Sequence, residues 1–491
     1  MKLLNNKYIK KYWLILLFGI IVQFLYLLLS AITNKTGFPL DDAWIHQTYA
    51  KNLVLFHDWY FIPGIPSAGS TSPLWSILLT PGHLFNNEFY FFWTFFISGI
   101  LLISSSILIQ RLFETISGKS MKIPWAGIFL VLEWHIIWAT NSGMETILYI
   151  FFIILIFYLI IQNDIYKFRY VSLLLGLIIF IRPEGITLLG PFLLITVLRS
   201  VKRNNNWIKE IIIGVFPVLI FFGFYAIFNH RLSGDFFPNT FYAKQAEYEI
   251  LYNASILKRI VNLILVPITG VGVLLAPGFI AYLYTSIKVK NLEIFSIYLW
   301  FFGYIIIYAI RLPVTYQHGR YIIPTIPIFL LLSILGFNEI KNKFVNIKES
   351  FIFGYKAAIF IILAVFFYLG GKAYAIDVAI IESEMVKTAI WINENLEDEA
   401  IIAAHDIGAL GFFSERRILD LAGLISPEVI PFIRDEDLLA RYLDENGADY
   451  LVIFPDWYVD LEATKREIYT TNSIFSPEAG GENMRIYFWN D

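Results

Sequence analysis

The chain has 491 residues, of which 57% are hydrophobic and only 16% are charged, whereas soluble proteins carry about 25% charged residues. Long apolar runs with so few charges indicate transmembrane helices and exclude an ordinary soluble domain. The formal net charge of -3 gives no reason to expect a nucleic-acid partner. The chain contains no cysteine, which excludes disulfides, thiolate metal sites and a cysteine nucleophile.

The first transmembrane helix is predicted over residues 13–32, behind a segment that contains Lys2, Lys7, Lys10 and Lys11. A signal peptide would have a shorter apolar core, followed by a small-residue cleavage site. We therefore interpret the run as an uncleaved helix with a cytoplasmic N-terminus. The polar loop 33–71 follows, and its residues 42–56 are predicted to form an amphipathic helix on the membrane surface.

A short apolar segment, residues 72–85, is predicted to be an interfacial or re-entrant helix that does not cross the membrane. Ser72 is a suitable N-cap, and Pro73 suits the first helical position. The remaining apolar runs bring the predicted total to about eleven transmembrane helices. These further spans are 88–112, 123–140, 144–162, 168–181, 184–200, 208–229, 259–287, 293–311, 320–337 and 353–371.

The distribution of basic residues predicts the orientation of these spans. If residues 72–85 do not cross, the cytoplasmic segments hold 18 Lys plus Arg and the longer exterior loops hold 9. This difference agrees with the positive-inside rule. It places Asp41, Asp42 and the C-terminal region on the exterior side.

The composition changes after Tyr374, and residues 376–491 contain no run long enough to span a membrane. Their apolar runs alternate between strand and helix patterns, which predicts a small α/β domain. The fold expected is therefore a polytopic α-helical membrane domain, residues 1–375, with a soluble exterior domain, residues 376–491. The predicted elements are helices 384–396 and 438–446 and strands 400–404 and 450–454.

Asp41 and Asp42 are two adjacent carboxylates at the predicted outer edge of the membrane, where a charge is costly. Such residues also serve as helix caps, and this alternative applies to either residue alone. His46 lies one helical turn after Asp42, and Tyr49 continues the same face. A carboxylate near an imidazole can accept a proton from a sugar hydroxyl, so the pair is a candidate general base.

Two exterior clusters contain cations that suit a phosphate group. Arg182 and Glu184 lie between two apolar runs, either as an interface ion pair or as a clamp on a donor phosphate. Gln317, His318 and Arg320 open another predicted span. Snorkelling explains one Arg at a helix end but not the whole cluster.

The remaining candidates have weaker support from the sequence. Glu145 either caps a helix or contacts sugar, and loop residues such as Asn239, Tyr242 and Lys244 are common on exposed surfaces. The pair at 405–406 follows a predicted strand and is more often just a turn. No metal-ligand spacing stands out, although adjacent Asp residues permit a hard divalent cation.

An ordered set of short motifs resembles GT-C glycosyltransferases, and in particular the branch of mycobacterial terminal arabinofuranosyltransferases. The resemblance covers about the first 330 residues. Such enzymes are polytopic and use polyprenyl-phosphate-linked donors. The motifs are Asp41-Asp42-Ala43-Trp44, Gly69-Ser70-Thr71-Ser72-Pro73-Leu74-Trp75, Ser142-Gly143-Met144-Glu145-Thr146, Arg182-Pro183-Glu184-Gly185, Pro238-Asn239-Thr240-Phe241-Tyr242-Ala243-Lys244 and Gly319-Arg320-Tyr321.

The resemblance implies an inverting transfer from a polyprenyl-phosphate sugar to an exterior glycan, lipid or protein. One Asp, preferably Asp41, would deprotonate the acceptor hydroxyl. Arg182, His318 and Arg320 would stabilise the leaving phosphate. The residues expected to contact substrate are His46, Tyr49, Ser72, Glu145, Glu184, Asn239, Tyr242, Lys244 and Gln317.

Two other classes of protein remain compatible with a polytopic chain. A lipid-linked oligosaccharide flippase or transporter should place charges along the bilayer midplane and show repeat symmetry, and the sequence shows neither. A non-catalytic scaffold that presents the C-terminal domain would leave the exterior charge cluster unexplained.

Overall fold

The computed structural model describes residues 6–85, 88–162, 165–343 and 348–489. Helices dominate its first 395 residues, because apolar segments in a membrane must satisfy their backbone groups internally. The elements of this part are α1 Asn6–Thr33, α2 Asp42–Phe56, β1 Tyr60–Ile62, β2 Ile65–Pro66, α3 Pro73–Leu79, α4 Phe89–Ser117, α5 Trp125–Leu132, α6 Trp134–Thr140, α7 Thr146–Ile161, α8 Ile165–Leu177, α9 Leu189–Lys202, α10 Trp207–Ser233, α11 Asn239–Glu247, α12 Ile256–Ile268, α13 Gly272–Lys288, α14 Leu292–Arg311, α15 Tyr316–Gly319, α16 Ile326–Lys343, α17 Glu349–Ile381 and α18 Lys387–Asn395.

Within the described residues, seven helices are long and apolar enough to cross a membrane, or eight if the bent pair α12 and α13 counts as one span. Their lipid-facing sides carry exposed apolar residues, as in α10, where Phe216 is 62% exposed. The chain is therefore a multi-pass membrane protein. The seven segments are Lys11–Thr33, Phe89–Ser117, Pro183–Lys202, Trp207–Ser233, Leu292–Arg311, Tyr316–Ile340 and Glu349–Asn395.

The prediction of about eleven spans exceeds this number because several predicted spans are broken or short. Residues 123–140 divide at Glu133, whose extended backbone (φ -74°, ψ 121°) separates α5 from α6. Helix α7 has only 16 residues, whereas a span needs about 20. The predicted span 259–287 bends by 107° beside Gly270, which has a left-handed backbone (φ 76°).

Helix α2 is not the surface amphipathic helix that the sequence predicted. Nine of its 15 residues are buried, and Trp44 is fully buried among the rings of Phe38, Tyr90 and Phe91. The apolar residues of α2 are spread around the helix and face protein on several sides. Packing against other elements therefore fixes the position of its first residue, Asp42.

The C-terminal part contains a five-stranded sheet in the order β4-β3-β5-β7-β6. Strand β3 is parallel to β4 and β5, whereas β7 is antiparallel to β5 and β6. The predicted helices 384–396 and 438–446 and both predicted strands are confirmed within a few residues. The elements are β3 Ile401–Ala404, α19 Gly408–Phe413, β4 Arg417–Asp420, α20 Glu436–Glu445, β5 Tyr450–Ile453, α21 Val459–Glu462, β6 Glu467–Thr470, α22 Phe475–Glu478 and β7 Arg485–Phe488.

Helix α19 packs directly on α2 and connects the sheet to the membrane helices. The rings of Phe412 and Phe413 lie 5.0 Å and 4.7 Å from that of Trp44. The ammonium of Lys51 donates to the carbonyl of Phe412 at 3.3 Å. At Gly411, a Cβ would lie 2.2 Å from the ring of Phe61 on β1, so α19 and β1 approach as closely as glycine permits. The loop before α19 consequently lies beside Asp41 and Asp42.

Candidate functional site

A cavity of about 380 Å³ lies where the ends of several apolar helices meet the start of α2. Its lining combines charged side chains with an apolar wall that includes Phe222, Phe237 and Phe241. The predicted site residues that line it are Asp42, His46, Glu145, Arg182, Glu184, Lys244 and Arg320. These residues are separated by up to 278 positions in the sequence, from 42 to 320, and the fold brings them together.

Asp42 is the carboxylate of the adjacent pair that lines the cavity. Its Oδ2 accepts a hydrogen bond from Lys244 Nζ at 3.1 Å and lies 2.6 Å from Arg320 Nη2. Burial opposes ionisation, but these two cations outweigh it and hold the pKa of Asp42 well below its usual range. Asp42 is therefore ionised at neutral pH.

Asp41 points instead to the C-terminal sheet. Its Oδ2 accepts a hydrogen bond from the Gly408 amide at 2.6 Å, and its Oδ1 accepts one from the Ala409 amide at 2.8 Å. Burial raises the pKa of Asp41 to about 6, with a further contribution from Asp42, although the two amide hydrogen bonds act in the opposite direction. Asp41 is not among the residues of the cavity lining.

A second charged group lies across the cavity from Asp42. Arg182 Nε is 3.4 Å from Glu145 Oε1 and 3.8 Å from Glu184 Oε2. His46 Nε2 lies 3.4 Å from the other oxygen of Glu145. Tyr308 donates to Glu184 at 2.5 Å. Each carboxylate in this group therefore has an ion-pair partner, although Glu145 Oε2 and Glu184 Oε2 are buried without a hydrogen bond.

Three capping roles that the sequence suggested are absent, the first being that of Asp41, which precedes α2 and makes no capping hydrogen bond with its side chain. Glu145 precedes α7 but makes no capping hydrogen bond with its side chain, because its oxygens face Arg182 and His46. Ser72 precedes α3 and likewise accepts no capping hydrogen bond. The expected pairing of His46 with Asp42 is also replaced, since the other ring nitrogen of His46, Nδ1, lies 3.0 Å from Ser76 Oγ.

His318 does not reach the cavity. Its Nε2 lies 2.8 Å from Asp377 Oδ2 on α17, and its ring packs edge-on against Trp134 and Trp138. Gln317 and His318 both have left-handed backbones, with φ of 51° and 59°. This turn points His318 away from Arg320, so the predicted joint action of the two on one phosphate does not occur in this arrangement.

Five other predicted contact residues, one of which is Gln317, also lie outside the lining of the cavity. Tyr49 is buried, and its hydroxyl lies 2.6 Å from Ser67 Oγ. Ser72 is fully buried. Tyr242 lies on α11 outside both cavities, and Asn239 lines a separate cavity on the other side of the same helix.

Three further side chains of the lining were not among the site residues predicted from the sequence, although Tyr321 belongs to one of the family motifs. Arg311 ends α14 at the cavity, and Tyr308 and Tyr321 complete the wall. The Arg182 guanidinium lies 5.4 Å from the centre of the Tyr321 ring, and that of Arg320 lies 5.0 Å from it. Their position in the sequence could have identified them, because all three lie at predicted exterior ends of spans, near Arg320.

The loop before α19 adds titratable groups next to Asp41. Burial raises the pKa of Asp406, and the nearby charges of Asp41, Asp42 and Glu247 raise it further. His405 lies 2.6 Å from the Tyr458 hydroxyl and 3.9 Å from Glu247 on α11. Across the described ranges, no group of three or more His, Asp or Glu side chains is arranged to hold a metal ion. In the structure Asp41 is paired with two backbone amides and Asp42 with two cations.

Comparisons with known proteins agree with this architecture. Residues 376–487 match a family model described as a domain of unknown function (DUF8728). No curated protein sequence matches the chain. The crystal structure of ArnT from Cupriavidus metallidurans bound to undecaprenyl phosphate is similar with a TM-score of 0.59 at 14% identity, covering 97% of this chain and 98% of that chain.

Two further solved structures resemble the chain at lower TM-scores. The oligosaccharyltransferase AglB from Archaeoglobus fulgidus, in complex with an inhibitory peptide and a dolichol-phosphate, gives a TM-score of 0.55 at 11% identity over 91% of this chain and 70% of that chain. A structure of the arabinofuranosyltransferase AftD from Mycobacteria gives a TM-score of 0.48 at 13% identity, over 96% of this chain and 41% of that chain. The arabinofuranosyltransferase branch stays a prediction. ArnT and AglB are GT-C superfamily glycosyltransferases, and the chain has their fold.

Proposed function

We propose that the chain is an inverting membrane glycosyltransferase that moves a sugar from a polyprenyl-phosphate donor to an exterior acceptor. The observation that carries this proposal is the cavity in which Asp42 meets Lys244 and Arg320 beside an apolar wall. A lipid-linked sugar phosphate needs all three features: cations for its phosphate, a base for the acceptor and an apolar surface for the lipid.

The charges of the cavity favour a phosphate ligand. Four cations line it, Arg182, Lys244, Arg311 and Arg320, against the three carboxylates Asp42, Glu145 and Glu184. Arg320 Nη1 is buried without a hydrogen-bond partner, and a buried unpaired donor is costly. A phosphate oxygen would satisfy it, since Arg geometry suits phosphate. ArnT bound to undecaprenyl phosphate and AglB with dolichol-phosphate support a lipid phosphate at this fold.

Asp42 is the proposed general base instead of Asp41, the residue that the family resemblance favours, because of the two only Asp42 lines the cavity. When the donor phosphate enters, Lys244 and Arg320 turn to its oxygens, and the pKa of Asp42 rises as it loses these partners. The acceptor oxygen attacks the anomeric carbon from the face opposite the phosphate and gives its proton to Asp42. The bond to the phosphate breaks, and the polyprenyl phosphate leaves with the electron pair, stabilised by the two cations.

The variant Asp42→Asn tests the base. It keeps the size of the side chain but cannot accept the proton, so we expect transfer to fall by about 10²–10⁴-fold. The measurement is sugar transfer by the purified protein from a panel of polyprenyl-phosphate sugars. Asp58→Asn is the matched control, because Asp58 is an exposed carboxylate of the same loop, and it should keep full activity. Full activity of Asp42→Asn would remove the proposed base.

A further inference from the structure

Helix α12, Ile256–Ile268, does not continue the line of the helix that follows it. The axes of α12 and α13 differ by 107°, and the bend lies beside Gly270, whose left-handed backbone (φ 76°) suits such a turn. Taken together, the two helices are long and apolar enough to form one broken span. The contacts of α12 show whether it is part of that span.

Both ends of α12 contact the ends of other helices on the cavity side of the membrane. Near its start, the Arg259 guanidinium donates to the carbonyl of Ala309 at 2.9 Å, and α14 ends at the cavity two residues later. Near its end, Val266 packs on Gly319, where a Cβ would lie 2.6 Å from Val266 Cγ2. The next residue, Arg320, lines the cavity. Helix α12 therefore runs across these helix ends, along the membrane surface.

The exposed side of α12 is divided into an apolar and a polar part. Leu257, Val261 and Leu265 recur at every fourth position, so they share one face of the helix, and they are 69%, 48% and 51% exposed. Lys258 and Asn262 are also exposed, and each lies about 100° further around the helix than the residue before it. A polar edge therefore borders an apolar stripe, formed by residues 257, 261 and 265.

This pattern is typical of a helix that lies in the membrane interface, with its apolar face about 5–10 Å into the boundary between headgroups and acyl chains. A spanning helix differs, because polar side chains that face hydrocarbon are costly. In α10, which is long enough to span, the exposed residues between positions 212 and 227 are all apolar. The exposed Lys258 and Asn262 of α12 would be unfavourable in such a position, whereas headgroups and water can solvate them.

We propose that α12 is an interfacial helix whose apolar stripe binds acyl chains of the leaflet on the cavity side of the membrane, with Lys258 and Asn262 facing the headgroups. The opposite face of α12 carries Val266, which packs on the residue before Arg320. The leaflet therefore supports, through α12, the turn that holds a cation of the cavity. The binding of lipid by the stripe does not rest on the proposed function.

The test measures how deeply the stripe lies in a bilayer, and it uses the absence of native cysteines. The single variants Leu257→Cys, Val261→Cys and Leu265→Cys are spin-labelled in the full-length protein, in vesicles of phosphatidylcholine and phosphatidylglycerol. The accessibility of each label to oxygen and to a water-soluble nickel chelate gives its depth. We expect all three labels at one depth, about 5–10 Å below the phosphates. In a spanning α12, the rise of 1.5 Å per residue would separate the first and last labels by about 12 Å.

Two control positions calibrate these depths. Asn262→Cys lies on the polar edge of α12 and should be more accessible to the nickel chelate than the stripe. Ile220→Cys lies near the middle of α10, where Ile220 is 42% exposed, and should be the deepest label. All five positions are exposed, so the substitutions remove no buried side chain.

Three results would overturn the proposal, and none of them depends on sugar transfer. A depth gradient of about 12 Å along the stripe would make α12 part of a span. Stripe labels as accessible to the nickel chelate as that of Asn262→Cys would place the stripe in water. Stripe labels inaccessible to both reagents would show that protein, such as a second copy of the chain, covers the stripe instead of lipid.

Discussion

Asp41 and Asp42 are neighbours in the chain, and their carboxylates contact different partners. Two cations hold Asp42, whereas two backbone amides of the C-terminal domain hold Asp41. Their pKa values are consequently shifted in opposite directions. When the pKa values of two neighbouring carboxylates are shifted apart in this way, the two groups typically have different roles. Asp42 is suited to chemistry in the cavity, and Asp41 is suited to holding the docked domain.

The raised pKa of Asp41 predicts a pH dependence of stability. The folded protein binds this proton more tightly than the unfolded chain, whose Asp titrates near 3.9. The contribution of Asp41 to stability is therefore complete below about pH 4 and is lost as the pH rises through about 6. Its size is at most about 3 kcal/mol. Asp41→Asn should flatten the dependence of the thermal midpoint on pH between 4 and 7.

Asp435→Asn is the control for this measurement, because Asp435 also accepts a backbone amide hydrogen bond, from Leu438 at 3.1 Å, but lies at an exposed cap of α20. It should leave the slope unchanged. Asp42 has the opposite shift, so its contribution is present above its unfolded pKa and is lost in acid. If the thermal midpoint of Asp41→Asn changed with pH as much as that of the unchanged protein, the raised pKa of Asp41 would be contradicted.

Helix α19 is the element that joins the C-terminal domain to the first residue of α2, and so to the cavity that Asp42 lines. It is short, and its contacts with α2 combine the aromatic packing of Phe412 and Phe413 with the amides of Gly408 and Ala409 on Asp41. Since Asp42 begins α2, movement of this contact would shift the carboxylate relative to its two cations. Catalytic geometry is sensitive to displacements of about 1 Å.

Gly408→Ala tests this connection. Its Cβ would lie 2.0 Å from the backbone oxygen of Asp41, so the two elements must separate, at a cost of about 1–3 kcal/mol. We expect kcat to fall several-fold, while KM for the donor changes little because the phosphate-binding cations stay in place. Steady-state kinetics of sugar transfer measure kcat and KM. Amide hydrogen exchange of residues 405–413 measures whether the two elements separate.

The comparison for this variant is Gly303→Ala in α14, where a Cβ would meet no atom within 4 Å. It should keep kcat and the exchange rates. If Gly408→Ala matched it in both measurements, α19 would have no influence on the site.

The whole molecule combines a helical membrane part with a sheet domain, and its division at residues 375 and 376 stays a prediction. The family match over 376–487 supports it, although α17 runs without a break from Glu349 to Ile381 across the boundary. The orientation also stays a prediction, with the N-terminus cytoplasmic and the cavity that Asp42 lines exterior. The excess of basic residues in the predicted cytoplasmic segments supports it.

Single-cysteine labelling tests the orientation directly, because the chain has no cysteine of its own. Asp58 and Asp398 are exposed on the predicted exterior side, and Lys119 is exposed on the predicted cytoplasmic side. A membrane-impermeant maleimide should label Asp58→Cys and Asp398→Cys in intact cells. It should label Lys119→Cys only after permeabilisation, and the reverse pattern would invert the topology.

Composition and hydropathy were sufficient to establish the membrane class, most helices and the alternating elements of the C-terminal sheet, because burial in lipid and strand patterning are local properties of a segment. The same local reasoning gathered Asp42, Arg182, Lys244 and Arg320 as candidates. The described residues contain seven or eight long apolar helices, against about eleven predicted spans, because a break such as that at Glu133 depends on what packs around it.

The distinction between Asp41 and Asp42 required the tertiary structure. Lys244 reaches Asp42 across 202 residues, and Gly408 reaches Asp41 across 367. The same long-range packing turns His318 to Asp377. No local pattern encodes such contacts, since they arise only when distant apolar surfaces pack together and bring their polar ends to one place.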